Sequence, residues 1–308
     1  LGDVYKRQNC YDTGTAPCKT ACPAHIAVQG YLKMAAQGRY TDALALIKKD
    51  NPFPAVCGRV CNKRCEEACT RATLDEAVAI DDVKRFIAQK DLDSKTRYIP
   101  KKVIPSNRGE FKNKIAIIGG GPAGLSCAYY LALTGYRPIV FEKNEKPGGM
   151  LTYGIPSYKL EKDVVEAEID IIRALGVEIK CGVEVGKDIT LDELRKDGYE
   201  AFYIAIGCQG SRKSGVDGED ADGVMSAVDI LHEIAENHDL NLKGNKTVVI
   251  GGGNVAVDVA RSTKRCGADV LGMFCLESRE EMPASEEEIF EQMIRIDSQD
   301  AIIGISFP

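Results

Sequence analysis

Apolar residues recur at helical spacing through the first ninety positions and at strand spacing after residue 113. Within 26–49, Ile26, Tyr31, Leu32 and Met34, then Ala43, Leu44 and Ile47, predict two helices separated at Gly38. Pro52 and Pro54 break that pattern. Residues 79–89 predict a third amphipathic helix, and 92–112, with Pro100, Pro105, Gly109 and several charges, predict an extended linker. From Lys114 short β-branched runs alternate with helical stretches. Ile115, Ile117 and Ile118 predict a strand that feeds a helix through 125–133, and 138–141 predicts the next strand. Residues 201–210 read as a buried strand ending at Gly207, and 248–250 and 269–274 as two further strands. Two strand–glycine–helix units, starting at Lys114 and Thr247, echo each other and predict two related α/β folds.

Composition narrows the classes. A chain of 308 residues allows two or three domains. A hydrophobic share of 44% and a charged share of 28% are those of a water-soluble globular protein. The net charge of -6 argues against nucleic acid as a partner, because a phosphate binder carries a basic excess. No apolar run approaches the roughly 18 residues of a membrane span, and the N-terminus has no apolar leader core. Residues 1–8 lack Met and any period and are expected to be non-native. The tail 292–308 is atypical and ends on an apolar run, so the chain is expected to be a piece of a longer protein.

Seven of the twelve cysteines lie within the first 69 residues: Cys10, Cys18, Cys22, Cys57, Cys61, Cys65 and Cys69. Thiols at this density bind metal or form disulfides. Without a secretion signal they point to a reducing cytoplasmic setting, where disulfides are rare. Zinc sites favour C-x2-C pairs, often with His; here the spacings are x7 and x3, and His25 is the only nearby His. Iron–sulfur clusters take four thiolates, often with Pro after one ligand, as Pro23 follows Cys22. All seven cysteines are therefore candidate ligands, with structural zinc and inert thiols as the alternatives.

The stretch 114–124, KIAIIGGGPAG, carries a dinucleotide-binding fingerprint. Gly119 makes the turn, Gly121 lets the backbone approach a pyrophosphate, and Gly124 lets the helix pack on the strand. Pro122 and Ala123 open that helix at its positive end. Glu142, at the end of the next strand and followed by Lys143, is placed for adenosine ribose hydroxyls. Gly149 and Leu151, in KPGGMLTYGIPSYKL, and Gly207, in AFYIAIGCQG, suit close approach to other parts of the same ligand. The second loop, TVVIGGGNVAVD, offers Gly251, Gly253, Asn254, Val255 and Ala256. Glu277, after the following strand, would accept the 2′-hydroxyl of NAD and repel the 2′-phosphate of NADP, or else be a solvated carboxylate. Glu286 to Glu288 read as a solvated helix face.

These residues resemble the glutamate synthase small-subunit family and its relatives among iron–sulfur flavoproteins. The resemblance covers residues from about 9 to 291 and rests on CPAHIAVQGYL, NPFPAVCGRVC, CEEAC, IIGGGPAGLSCA, GGMLTYGIPSYKL, AIGCQGSRK, VIGGGNVAVDVAR and SREEMPA. It implies an α-helical iron–sulfur domain at 9–93, a linker at 94–112, and two α/β Rossmann-like domains. These are an incomplete FAD domain at 113–225 and an incomplete NAD(P) domain at 226–291. It implies FAD, one or two 4Fe–4S clusters, and NADH or NADPH. Electrons would pass from NAD(P)H through FAD and the clusters to an acceptor subunit or domain, glutamate synthase large-subunit-like or ferredoxin-like, and no side chain acts as primary catalyst. An electron-bifurcating or ferredoxin-linked oxidoreductase subunit is the nearest rival. A thioredoxin-reductase-like enzyme would need a C-x2-C pair, absent after Cys69, and a zinc scaffold is the non-enzymatic alternative.

The chain departs from the family at several places. Thr13 stands where the family has the second cysteine of C-x2-C, and Cys61 and Cys65 are more closely spaced. Lys84 stands where relatives offer a Glu or Gln ligand, and Cys57, a non-ligand in relatives, is available. Leu276 and Glu277 replace a double Arg that reads NADP, which favours NADH. The family's C-terminal segment, which completes both nucleotide domains and contacts the flavin ring, lies beyond this sequence. The chain alone is expected to bind FAD weakly.

Overall fold

The computed structural model describes residues 15–104, 109–210, 215, 217–237, 240–278 and 281–285. Within these the chain forms two compact units. One takes in the chain to Thr152 together with Tyr158–Gly207; the other takes Tyr153–Ser157 and the chain from Cys208.

The first unit opens with short helices: α1 (Pro17–Ala21), α2 (Val28–Ala36), α3 (Tyr40–Ile47), α4 (Pro54–Val60), α5 (Arg64–Glu67) and α6 (Ile80–Leu92), with a 3-10 turn at Thr70–Thr73. The helices α2 and α3 are the two expected from 26–49, and α6 is the third, longer at its end than the pattern indicated. Pro54 does not end a helix but starts α4, since proline costs nothing at the first helical position. One apolar core gathers Val28, Tyr31, Leu32, Leu44, Ile47, Ile80, Val83 and Ile87, the inward faces of α2, α3 and α6.

The α/β part of this unit comprises β1 (Lys114–Ile118), α7 (Pro122–Leu133), β2 (Arg137–Glu142), α8 (Met150–Tyr153), α9 (Lys162–Ala174), β3 (Glu178–Cys181), α10 (Leu191–Lys196) and β4 (Tyr199–Ile204). The four strands pair in the parallel order β3-β2-β1-β4. The order reverses between β1 and β4, which opens a crevice at their carboxyl ends. The linker is not loose: Val103 N donates to Leu133 O at 2.6 Å, Phe111 N donates to Gly135 O at 2.9 Å, and Phe111 stacks on Tyr136 at 4.3 Å.

One expectation is corrected. The strand in 201–210 is not buried and stops at Ile204, short of Gly207: Tyr203 is 43% and Ile204 63% exposed. Among the described residues it is, as β4, the outermost strand of the sheet, with Phe202 and Tyr199 packed in its apolar cluster. Apolar composition alone does not distinguish such an edge strand from a central one.

The second unit contains α11 (Ala227–Glu236), β5 (Lys246–Ile250), α12 (Asn254–Arg265) and β6 (Asp269–Phe274). β5 and β6 are parallel neighbours joined through α12. Val249, Ala256, Val257, Val259, Ala260 and Met273 form its core with Ile230 and Leu231 of α11.

A polar seam ties α9 to the helical part of the first unit. Lys48 Nζ and the Ala55 amide both donate to the Glu168 carboxylate at 3.1 Å. Arg97 approaches the same carboxylate at 3.5 Å. Tyr129 donates its hydroxyl to Lys48 O at 2.7 Å, and Arg59 bonds Glu161 at 2.6 Å and Gln89 at 2.8 Å. Ala55, Ala88 and Val164 pack beside these groups. The thiol-bearing helices and the first glycine loop thus share one scaffold.

Candidate functional site

The first glycine loop is built by close backbone approach. A Cβ at Gly124 would lie 2.0 Å from Gly119 O, and one at Gly149 would lie 2.8 Å from Gly121 Cα. No side chain fits at either position, so α7 sits hard against the end of β1, and 148–149 against the turn. Gly148 N donates to Gly120 O at 2.8 Å, which fastens the second glycine pair to the first. Gly121 caps α7 with no side-chain hydrogen bond and Pro122 follows, leaving first-turn amides for an anion. Ala205 N donates to Ile118 O at 2.7 Å, which brings the end of β4, and with it the stretch leading to Gly207, beside this loop.

Glu142 is buried at the end of β2. Its Oε2 accepts from Gly120 N at 2.6 Å and its Oε1 from Asn144 N at 2.9 Å. The carboxylate therefore braces the loop and keeps acceptor capacity for ribose hydroxyls. Lys143 is exposed, and Leu151 is buried in α8, whose Leu151 O accepts from Lys162 Nζ at 2.9 Å. Burial pulls the Lys162 ammonium down to about 8.

The second loop repeats the plan on a smaller scaffold. Gly251 N donates to Phe274 O at 2.7 Å, and Gly253 caps α12 without a side-chain bond. Ala256 is buried, whereas Val255 faces outward. Glu277 lies beside this loop, its Oε2 3.5 Å from where a Cβ would stand on Gly252. That is the placement of Glu142 beside Gly120 in the first unit. The sequence pattern missed the closing of this loop by the end of SREEMPA and the serine after it: Ala284 N donates to Gly252 O at 3.1 Å and Ser285 N to Asn254 Oδ1 at 2.8 Å. The proline in that motif, which interrupts regular structure before the two donors, was the available signal.

The thiols gather in the helical part. Cys18 and Cys22 sit on and just after α1, Cys57 and Cys61 on and just after α4, Cys65 in α5, and Cys69 before the 3-10 turn. Cys57 and Cys61 stand about one helical turn apart along α4, whereas between Cys61 and Cys65 the chain leaves the helix and turns through a left-handed Lys63. Cys65 is in the core that includes Tyr31, and Cys18, Cys22 and Cys69 pack against it. Burial, then the charges of Cys65, Asp81, Cys18 and Cys22, push the Tyr31 hydroxyl pKa well up. Burial pushes the Cys65 thiol to about 12, against the pull of Lys84. Cys10, Thr13 and the 286–288 carboxylates lie outside the described residues.

An all-thiol donor set suits an iron–sulfur cluster and equally a four-cysteine zinc site. Among the described residues no three His, Cys, Asp or Glu side chains converge on one ion position. Cys18, Cys22, Cys57, Cys61, Cys65 and Cys69 are the described side chains that would hold such a group.

Comparisons with known proteins agree with this division. A family model for pyridine nucleotide-disulphide oxidoreductases matches residues 113–296, and one for dihydropyrimidine dehydrogenase domain II, 4Fe-4S cluster, matches 4–96. The beta subunit of NADP(+)-dependent formate dehydrogenase from Moorella thermoacetica is 41% identical, over 89% of this chain and 41% of that protein. The glutamate synthase [NADPH] small chain of Escherichia coli is 36% identical, over 91% and 61%. The beta subunit of NADPH-Fe(3+) oxidoreductase from Geobacter sulfurreducens is 38% identical, over 90% and 41%. The chain thus spans about half the length of the curated relatives it matches. Among solved structures, a 2-naphthoyl-CoA reductase complex superposes with a TM-score of 0.54 at 19% identity, over 92% of this chain and 38% of that one. FprA of Mycobacterium tuberculosis superposes with a TM-score of 0.50 at 22% identity, over 59% and 47%. These two speak to the fold alone. No helix of the described residues is long and apolar enough to cross a membrane.

Proposed function

Because the chain belongs to the pyridine nucleotide-disulphide oxidoreductase family, we propose that it is the electron-entry part of an iron–sulfur flavoprotein of the glutamate synthase small-chain type. The observation that carries this reading is the thiol set and the first glycine loop on one scaffold, joined by the Glu168 seam. The flavin, when bound, accepts a hydride from reduced nicotinamide and releases electrons one at a time, which is the form iron–sulfur clusters take. Gly119, Gly121, Pro122, Ala123 and Gly124 hold its pyrophosphate, Glu142 and Lys143 its adenosine, and Gly149, Leu151 and Gly207 line its remaining length. Gly251, Gly253, Asn254, Val255 and Ala256 hold the nicotinamide dinucleotide. The seven cysteines, Cys10 included, hold one or two 4Fe–4S clusters. Electrons leave to a partner subunit or domain, and the printed names of the relatives, among them subunits of formate dehydrogenase and glutamate synthase, support that kind of partner. The site is cytoplasmic in this reading.

The nicotinamide is NADH. Those relatives are named for NADP(H), but here a carboxylate, Glu277, lies beside the second loop, and a carboxylate that accepts a ribose 2′-hydroxyl and repels a 2′-phosphate supports this reading.

Anaerobic purification of the protein with its natural ends, followed by iron, sulfide, zinc and flavin analysis and an absorption spectrum, tests the reading. Iron, sulfide and a flavin that bleaches with NADH are expected. Zinc without iron or flavin would overturn it.

A further inference from the structure

Arg59 stands midway between two of the cysteines, after Cys57 and before Cys61. Its side chain is 5% exposed, and its guanidinium reaches three different partners. Nε donates to Glu161 Oε2 at 2.6 Å, Nη1 to Ala55 O at 3.0 Å and Nη2 to Gln89 Oε1 at 2.8 Å. Gln89 is itself oriented, because its Nε2 donates to Asp93 Oδ1 at 2.8 Å. The last turn of α4, which Cys61 caps, is thus tied both to α6 and to the start of α9.

Two points join α4 to α9. Ala55 N, in the first turn of α4, donates to Glu168, and Val164 shares an apolar cluster with Ala55. Arg59, one turn further along α4, reaches Glu161, which caps the other end of that stripe of α9. A helix held at one point can pivot there; held at two it cannot, and Arg59 is the point nearer Cys61. Where α4 crosses α6, a Cβ on Gly58 would stand 2.8 Å from Arg85 Cα, so the crossing is already at backbone contact. The neighbouring stripe of α9 faces the first glycine loop. Lys162 Nζ donates to Leu151 O at 2.9 Å, and Val165 Cγ1 lies 3.3 Å from where a Cβ would stand on Gly148. One helix therefore seats both the thiol-bearing α4 and the 148–151 stretch. An ion pair with a half-exposed member such as Glu161 contributes little stability. What an arginine fork with three separate acceptors adds is fixed geometry.

We propose that Arg59 is a positioning residue for electron transfer inside the protein: through Glu161 it fixes Cys57 and Cys61 relative to the 148–151 stretch, and so sets the gap an electron crosses between flavin and cluster. The proposal rests on the iron–sulfur flavoprotein reading above. Arg59 ligates no metal and moves no proton; it acts through distance. Electron tunnelling falls off exponentially with the gap between carriers. A small drift of the last turn of α4 therefore slows that step, while hydride delivery to the flavin, which does not involve α4, keeps its rate.

The test uses the anaerobically purified protein with its natural ends, unaltered and as Arg59→Met, Glu161→Ala and Glu161→Gln. Iron, sulfide and flavin are counted, and hydrogen exchange is measured across 54–61. After mixing with NADH, stopped-flow absorbance follows flavin reduction and freeze-quench electron paramagnetic resonance follows cluster reduction. In Arg59→Met and Glu161→Ala, full cofactor content, faster exchange across 54–61 and unaltered flavin reduction are expected, with cluster reduction slowed by about tenfold or more. Glu161→Gln, which keeps an acceptor for Arg59, should restore the rate. Unslowed cluster reduction in the first two variants would overturn the proposal. So would joint loss of iron and flavin in Glu161→Ala, which would make the pair a general support of the fold. An unaltered protein without iron, sulfide or flavin, or with clusters that NADH leaves oxidised, would sink the electron-entry reading itself, an outcome visible before any variant is made.

Discussion

Glu168 shows what a single residue does here. It falls on the apolar stripe of α9 with Val164, Val165, Ile169 and Ile172, so its burial is readable from periodicity. Its partner Lys48 is 120 positions away, and no local pattern names it. Removing one member of a buried pair strands the other charge, which costs about 3–5 kcal/mol. Glu168→Gln should lose stability on that scale in urea denaturation, whereas the paired change Lys48→Met with Glu168→Leu should recover most of it. Lys162 gives a pH signature. Burial lowers its pKa from the ordinary 10.5 to about 8, so between these values the unfolded chain binds the extra proton. Stability contributed at this site therefore rises as pH climbs from about 8 to 10.5. Lys162→Met should remove that rise in denaturation midpoints measured across the same range.

At the scale of elements, the two strand–glycine–helix units were legible because each glycine answers a steric demand that local geometry creates. Gly124 is the clearest case, since any Cβ there meets Gly119 O. Gly124→Ala should force α7 off β1, cost about 1–3 kcal/mol, and leave purified protein depleted in flavin. The specificity of the second unit belongs to the end of β6. Glu277→Arg exchanges repulsion of a 2′-phosphate for attraction, and should move the ratio of kcat/KM values toward NADPH by about tenfold or more. Steady-state rates with both nucleotides check it; an unchanged ratio would mean that Glu277 is only a solvated carboxylate. The exposure of β4 was not legible, because Tyr203 and Ile204 read as core residues until the strand order places them at the sheet edge.

Across the molecule, the helical part and the first α/β part form one compact unit, and the chain from Cys208 forms another with Tyr153–Ser157. Separate cores predict separate cooperative transitions. Thermal unfolding of the chain should show two steps, and the Glu168 variant should move only one of them; calorimetry reads both. By itself the sequence determined the helices of 26–49 and 79–89, the two strand–glycine–helix units with their trailing acids, and the crowding of thiols in the first 69 residues, because each is a short-range consequence of periodicity, sterics or composition. Only the tertiary structure decided that Lys48 meets Glu168, that Gly58 meets Arg85 where two helices cross, that β4 is the edge of the sheet among the described residues, and that Ala284 and Ser285 close the second loop. Those pairings depend on how distant segments cross, and crossing is set by packing of whole faces, which no local stretch of sequence encodes.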